Sequence, residues 1–348
     1  MRVKSMMKKL TISGQTGRSQ IRVGESLDKL ADYLPAGRTI IITDDNVERL
    51  YGAAFPSREV IFVGQGEVIK TLETVSAIYD QLIESQADRS VCLLGIGGGI
   101  VCDIAGFVAS TYLRGVRFGY VPTTLLAQVD ASVGGKTGVN FRGYKNMVGV
   151  FNQPEFVLCD PRVLKTLPVR ELACGFAEVV KHAAISDADY FEFLEQEASR
   201  ARSLDPEVMT RVVYDSITIK ADVVNRDERE KGERRKLNFG HTFGHAVEKT
   251  EGLPHGEAVA IGMMMAARLS RSRHMLDQKS VDRLADLLSA FHLPLESQVN
   301  QKHIMDALVQ DKKREGDAIH FVLLEALGRA VVQAIPISEL QKLMGLSE

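Results

Sequence analysis

VCLLGIGGGIVCDIAGFVASTYLR, residues 91–114, reads as a strand, a glycine turn and a helix in one continuous run. Residues 91–96 are apolar on both sides of the strand period, the pattern of a strand covered on two faces. Gly95-Ile96-Gly97-Gly98-Gly99 turns the chain, and residues 100–114 continue with helical patterning. Glycines between a strand and a helix let backbone N–H groups approach a pyrophosphate at the helix N-terminus. The strict GxGxxG spacing is not met, because Cys102 stands where the third glycine belongs. Phosphate binding and a purely structural turn are therefore both open.

The same alternation extends outward. Thr39–Thr43 and residues 60–63, 117–121 and 156–160 read as further strands, and 47–51 and 67–84 as helices. Short apolar strands separated by helices predict a parallel sheet of the α/β nucleotide-binding type. After Leu167-Pro168 the pattern becomes helical, over residues 171–186, 189–200, 206–226, 238–250, 256–273 and 280–290. Residues 319–324 and 329–335 predict a late hairpin around Leu327-Gly328, with a last helix from Ser338. The expected division is an α/β domain over residues 1–167 and a mainly α-helical domain over 168–348.

Composition excludes several classes of function. The 348 residues are 45% hydrophobic and 25% charged, with a net charge of −2, an ordinary globular balance that gives no sign of a nucleic-acid or anionic-membrane partner. The N-terminal cations Arg2, Lys4, Lys8 and Lys9 are followed by polar residues where a secretory signal needs an apolar run. The longest apolar run, residues 258–267, is far short of a membrane span. Cys92, Cys102, Cys159 and Cys174 form no CxxC pair. They read as buried free thiols of a reducing, cytoplasmic compartment.

Chemistry gathers in residues 234–257, RRKLNFGHTFGHAVEKTEGLPHGE, which hold three of the eight histidines. His241 and His245 stand four apart and share a helix face, and the Gly-Leu-Pro break before His255 starts a new helix. Imidazoles suit zinc and its neighbours, and a catalytic zinc takes three protein ligands and keeps one open position. Thr242 occupies the place of the glutamate of an HExxH helix, so the metalloprotease reading fails. Glu178, in an apolar helix, needs a partner: Lys181, His182 or a metal. Asp44, at the end of a strand, suits either a ribose hydroxyl or a helix N-cap. Gly134-Gly135-Lys136-Thr137-Gly138 resembles a P-loop, but Asp130 replaces the first glycine that motif needs, leaving a glycine-rich loop with a lysine. Arg114, Lys136, Lys145, Lys181, Lys220, Arg234, Lys312 and Lys313 would suit a substrate with two anionic groups if they converge.

Several long motifs in order then resemble one family, the 3-dehydroquinate synthases among the sugar phosphate cyclases. They are VPTTLLAQVDASVGGKTGVN (121–140), GYKNMVGVFNQP (143–154), KTLP (165–168), FAEVVKH (176–182), LNFGHTFGHA (237–246) and HGEAVAIGM (255–263). The resemblance implies an N-terminal NAD-binding α/β domain with a parallel sheet and a mainly helical C-terminal metal- and substrate-binding domain. It implies that Glu178, His241 and His255 hold a divalent metal, zinc or cobalt, and that His245 transfers protons, with Glu230 as a second acid/base and Lys181 beside them. NAD would be held by Asp44, Asn46, Glu67, Lys70, Gly98, Gly99, Asp103, Thr123, Thr124, Val163, Leu164, Lys165 and Thr166, with Lys136 and Lys145 near nicotinamide or substrate. Substrate contacts would fall to Asp130, Lys136, Asn146, Lys181, Lys220, Arg234, Asn238 and one of Lys312 or Lys313, with Arg114 offered across a homodimer interface. Cys102 and Cys174 depart from the residues usual in the family but fall on no implied ligand.

The implied substrate is 3-deoxy-D-arabino-heptulosonate 7-phosphate, whose carboxylate and phosphate match the cations. Oxidation at its C5 acidifies the C6 proton, phosphate is eliminated, the ketone is reduced again, and ring opening and aldol closure give the carbocycle. Rival readings are a sister cyclase of the inosose or valiolone type, which needs no carboxylate clamp, and an NAD- and metal-dependent polyol dehydrogenase.

Overall fold

The computed structural model describes residues 7–299, 301–309, 314–315 and 318–343. The first half contains β1 (Lys8–Gly14), β2 (Gly17–Val23), β3 (Thr39–Thr43), α1 (Asp45–Tyr51), β4 (Val60–Phe62), α2 (Leu72–Glu84), β5 (Cys92–Gly97), α3 (Gly99–Thr111), β6 (Arg117–Pro122), β7 (Lys136–Phe141), β8 (Tyr144–Phe151) and β9 (Phe156–Cys159). Then follow α4 (Val169–Ser186), α5 (Ala188–Arg202), α6 (Pro206–Arg226), α7 (His241–Glu251), α8 (His255–Ser272), α9 (Gln278–Ala290) and α10 (Gln301–Val309). The chain closes with β10 (Arg314–Glu315), β11 (Ala318–Ala326), β12 (Arg329–Pro336) and α11 (Ile337–Leu343).

The chain divides into two units, one of Met1–Leu167 with Met209–Arg229, the other of Pro168–Val208 with Glu230–Glu348. A single cut at 167 therefore misplaces residues 209–229, most of α6, which group with the first unit. Buried Glu228 shows why. Its carboxylate accepts from the backbone N–H of Gln15 at 2.7 Å and from Gln153 at 3.0 Å, so this segment is tied to the β1–β2 turn and the end of β8. Local helical patterning carries no information about which unit a helix joins.

In the first unit the sheet order is β1-β2-β9-β6-β5-β3-β4, parallel throughout except for β1 against β2. Apart from the N-terminal hairpin, the order β4-β3-β5-β6-β9 is the doubly wound one, with its switch point between β3 and β5. Ile41, Leu94, Ile96, Val121 and Leu158 pack on one face with Val47 of α1 and with Leu27 and Leu30. Gly95 points to the other face, where Ala105 of α3 lies against it. Both faces are thus covered, as the uniformly apolar strands required. Each buried Leu or Ile contributes about 1.5–3 kcal/mol of transfer free energy.

Three local readings differ from expectation. The helix expected from residue 67 begins at Leu72, because Thr71 caps it by accepting from the N–H of Thr74 at 3.2 Å. The glycine loop around Lys136 runs directly into β7, which pairs with β8 as a separate two-stranded sheet. Asn238 lies in a short turn before α7.

In the second unit α4 is buried almost all round from Leu172 to Ile185, with the Phe176 ring stacked on Phe291 at 4.1 Å. The late hairpin pairs Ala318 with Pro336 through Ala326 with Arg329, next to the short β10. Among the described residues no helix is long and apolar enough to cross a membrane.

Candidate functional site

The first unit presents its polar groups at the carboxyl ends of β3 and β5, where doubly wound sheets take ligands. Asp44 follows β3, and one of its carboxylate oxygens accepts from the N–H groups of Asn46 and Val47 at 2.9 and 3.0 Å. It is thus an N-cap of α1, placed beside the switch point of the sheet. Gly98 is the N-cap of α3, and no side chain caps that thirteen-residue helix. First-turn N–H groups without a side-chain acceptor are what an anion needs at a helix N-terminus. Thr123 donates its N–H to Gly97 at 2.9 Å, and the Thr124 hydroxyl accepts from the N–H of Ala127 at 3.1 Å.

Lys70 donates to Asp103 and to Asn146, each at 2.5 Å. Asn140 accepts from the N–H of Asn146 at 2.9 Å and donates to Glu67 at 2.7 Å. Glu67, Lys70, Asp103 and Asn146 therefore form one polar cluster. Burial pushes the Asp103 carboxyl up to about 6, against the opposing pull of Lys70. Tyr51 donates to the carbonyl of Val163 at 2.8 Å and meets the Thr166 hydroxyl at 2.5 Å; Leu164 is buried beneath and Lys165 is exposed. Lys136 and Lys145 are exposed on the β7–β8 hairpin, and Arg114 is exposed in the turn after α3. Buried Lys220 donates to the carboxylate and the carbonyl of Asp130 at 2.5 and 2.7 Å.

The second unit brings the metal-type ligands together. α7 and α8 cross closely because Gly262 has no side chain: a Cβ there would lie 1.9 Å from the carbonyl oxygen of Gly240. α8 also presses on α4 at Gly256, where a Cβ would lie 2.3 Å from the Cα of Cys174, one turn before Glu178. These approaches place His241, the first residue of α7, and His255, the first of α8, beside Glu178. Both Nε2 atoms lie 3.7 Å from Oε1 of Glu178. One ligand atom from each residue lies within 4.8 Å of the others. Tetrahedral ligands about 2.1 Å from a zinc ion would stand about 3.4 Å apart.

The electrostatics suit a cation. Glu178 is fully buried, and its Oε1 has no hydrogen-bond partner, while Oε2 accepts from Lys181. Burial alone would raise its carboxyl; Lys181, His241 and His255 outweigh burial and hold it well below the carboxylate range. Burial, helped by Lys181, drives His241 well below its usual value, leaving the neutral imidazole that ligates metals. Burial also opposes charge on His255, but Glu178 and Glu248 override it and raise the ring to about 9. An anionic carboxylate with an orphaned oxygen facing two imidazole nitrogens is a donor set that fits a divalent cation.

His245 is exposed one turn along α7, its ring centroid 5.5 Å from that of His241. Asn238 donates to Glu230 at 2.6 Å, and Arg234 is buried in the turn that carries Asn238. Lys312 and Lys313 lie outside the described residues. Glu248, which sequence reasoning missed, meets Nδ1 of His255 at 3.4 Å. A signal was available, since Glu248 follows His245 by three and His241 by seven residues, on one helix face. A cavity of about 820 Å³ lined by residues including Arg271, His274 and Asp277 contains none of these groups.

Comparison with known proteins decides the family. The model for 3-dehydroquinate synthase N-terminal matches residues 60–174 and that for 3-dehydroquinate synthase C-terminal matches residues 175–314. The chain belongs to the 3-dehydroquinate synthase family. It is 47% identical to the 3-dehydroquinate synthase of Halorhodospira halophila over 87% of its length and 88% of that protein. A 2-deoxy-scyllo-inosose synthase complexed with carbaglucose-6-phosphate, NAD+ and Co2+ superposes with a TM-score of 0.86 at 28% identity, covering 97% of this chain and 99% of that one. The 2-epi-5-epi-valiolone synthase of Streptomyces hygroscopicus subsp. jinggangensis 5008, with NAD+ and Zn2+ bound, gives 0.84 at 30% identity, covering 99% and 98%. Both expectations drawn from the sequence, the family and the fold class, hold.

Proposed function

We propose that this chain is a phosphate-eliminating carbon–oxygen lyase that converts 3-deoxy-D-arabino-heptulosonate 7-phosphate to 3-dehydroquinate and phosphate, with no net change in oxidation state. The carrying observation is the Glu178–His241–His255 cluster, with its orphaned buried carboxylate oxygen, in a chain of this family. When bound, NAD supplies a hydride acceptor that later returns the hydride, and a divalent cation, zinc or cobalt, supplies a Lewis acid.

The chain's own residues do the rest. Glu178, His241 and His255 would hold the cation, their rings already aimed at one carboxylate oxygen. The open first turn of α3, with Asp44, Asn46, Glu67, Lys70, Asp103, Thr123, Thr124 and the turn holding Val163 and Thr166, would hold NAD. Buried Lys181 and Arg234 in the second unit, and buried Lys220 in the first, would each offer positive charge to an anionic group of the substrate. His245, exposed on the helix face that carries His241, would accept and return a proton at an imidazole nitrogen, and Glu230 would serve as a second acid/base.

A sister cyclase acting on a sugar phosphate without a carboxylate is disfavoured by the higher identity to the curated synthase and by buried Arg234 and Lys220. A cytoplasmic homodimer, with Arg114 reaching a partner, completes this reading; the four buried free thiols suit a reducing compartment. The test is phosphate release from two substrates. Release from 3-deoxy-D-arabino-heptulosonate 7-phosphate and none from glucose 6-phosphate is expected, and the reverse preference would overturn the assignment.

A further inference from the structure

We propose that Glu248 is a positioning residue of the metal centre: its carboxylate accepts a hydrogen bond from Nδ1–H of His255 and so aims Nε2 of that ring at Glu178. The two histidine rings are anchored alike but by different groups. In His241, Nδ1 lies 3.2 Å from the backbone carbonyl of Phe239 while Nε2 faces Glu178 at 3.7 Å. In His255, Nδ1 lies 3.4 Å from Oε2 of Glu248 while Nε2 faces the same Glu178 oxygen at 3.7 Å. Each ring thus spends one nitrogen on an anchor and turns the other to the ligand cluster. Anchoring matters more for His255, whose side chain is 33% exposed against 12% for His241.

Helix geometry places Glu248 for this task. It lies seven residues beyond His241 on α7, two turns along the same face, and its side chain is only 14% exposed. The carboxylate sits on one helix and the ring it steers on the next, so their contact also fixes the corner between α7 and α8. Outer-shell partners of this kind set tautomer and ring direction, and losing one typically weakens metal binding by about 10–100-fold. Glu248 also lies within reach of His245, so a second ion held by His245, Glu248 and His255 is the competing arrangement.

The proposal rests on Glu178, His241 and His255 being the metal ligands, and its test separates the two claims. The full-length protein, stripped with a chelator, is titrated with cobalt(II) against a competing indicator, and the visible spectrum of the bound ion is recorded. Glu248→Ala is expected to bind cobalt about 10–100-fold more weakly with an altered spectrum, and Glu248→Gln, which keeps an acceptor oxygen, to lose less. Metal-free wild type and Glu248→Gln should unfold at the same temperature, so that the change in affinity is not a folding defect. Wild-type affinity and spectrum in both variants would overturn the positioning role, as would uptake of two ions by the wild type with loss of one in Glu248→Ala. If His241→Ala binds cobalt as tightly as the wild type, the ligand assignment itself fails, and the role of Glu248 with it.

Discussion

Glu178 is fully buried in α4, and its Oε1 has no hydrogen-bond partner, a place a bound cation would fill. In the proposed function the histidines around it would take two roles, His241 and His255 holding the cation and His245 moving a proton. His255→Ala should lose bound metal, whereas His245→Ala should keep it and lower kcat by about 10²–10⁴-fold. Metal analysis of the purified variants checks both; equal metal loss in the two would merge the roles. Glu228 makes a prediction about pH. Burial would raise its carboxyl, but hydrogen bonds from Thr16, Gln153 and the backbone of Gln15 outweigh it and lower the folded-state value below 4.5. A lowered folded value gives stability that is present above pH 4.5 and is lost as pH falls through the folded value. Glu228→Gln should therefore cost about 1–3 kcal/mol in urea unfolding at pH 7, with the deficit shrinking in acid. A deficit that is constant with pH would contradict this account.

At the scale of elements, the corner between α7 and α8 is a packing device as much as a ligand frame. Gly262→Ala puts a methyl group into the Gly240 carbonyl, so the helices must separate, at a cost of about 1–3 kcal/mol. Its melting temperature should fall and its cobalt affinity should drop together; a fall in stability with full affinity would mean the corner does not set the ligands. Leu94→Ala in central β5 should cost about 2–5 kcal/mol without touching metal content, as judged by denaturant unfolding and metal analysis. The sequence announced β3, β5 and β6 because strands buried on both faces are apolar throughout. The β1–β2 and β7–β8 hairpins went unread, since their strands carry scattered charges and their turns, Gly14-Gln15-Thr16-Gly17 and Phe141-Arg142-Gly143-Tyr144, lack the Asn-Gly or Asp-Gly signal. His241 and His255 were legible as a pair from the Pro254 break between their helices. Glu248 was legible only as a residue on the helix face of His241 and His245; its contact with His255 was not, because an acidic residue on a helix looks like solvated surface until the neighbouring helix is in place.

At the scale of the molecule, residues 209–229 join the first unit through Glu228, Lys220 and Asn225, contacts more than seventy residues apart in sequence that no periodicity encodes. What local patterns did carry was the doubly wound sheet with its switch point, and an ordered series of motifs long enough to name the family. The central claim is a cycle in which oxidation is undone before product leaves, so NAD is needed only in catalytic amount. The direct measurement is turnover of 3-deoxy-D-arabino-heptulosonate 7-phosphate by metal-loaded protein with trace NAD, following phosphate, 3-dehydroquinate and absorbance of NADH together. The account predicts equal release of phosphate and 3-dehydroquinate over many turnovers per NAD, with no accumulation of NADH; steady build-up of NADH, or turnover that stops when NAD is spent, would contradict it.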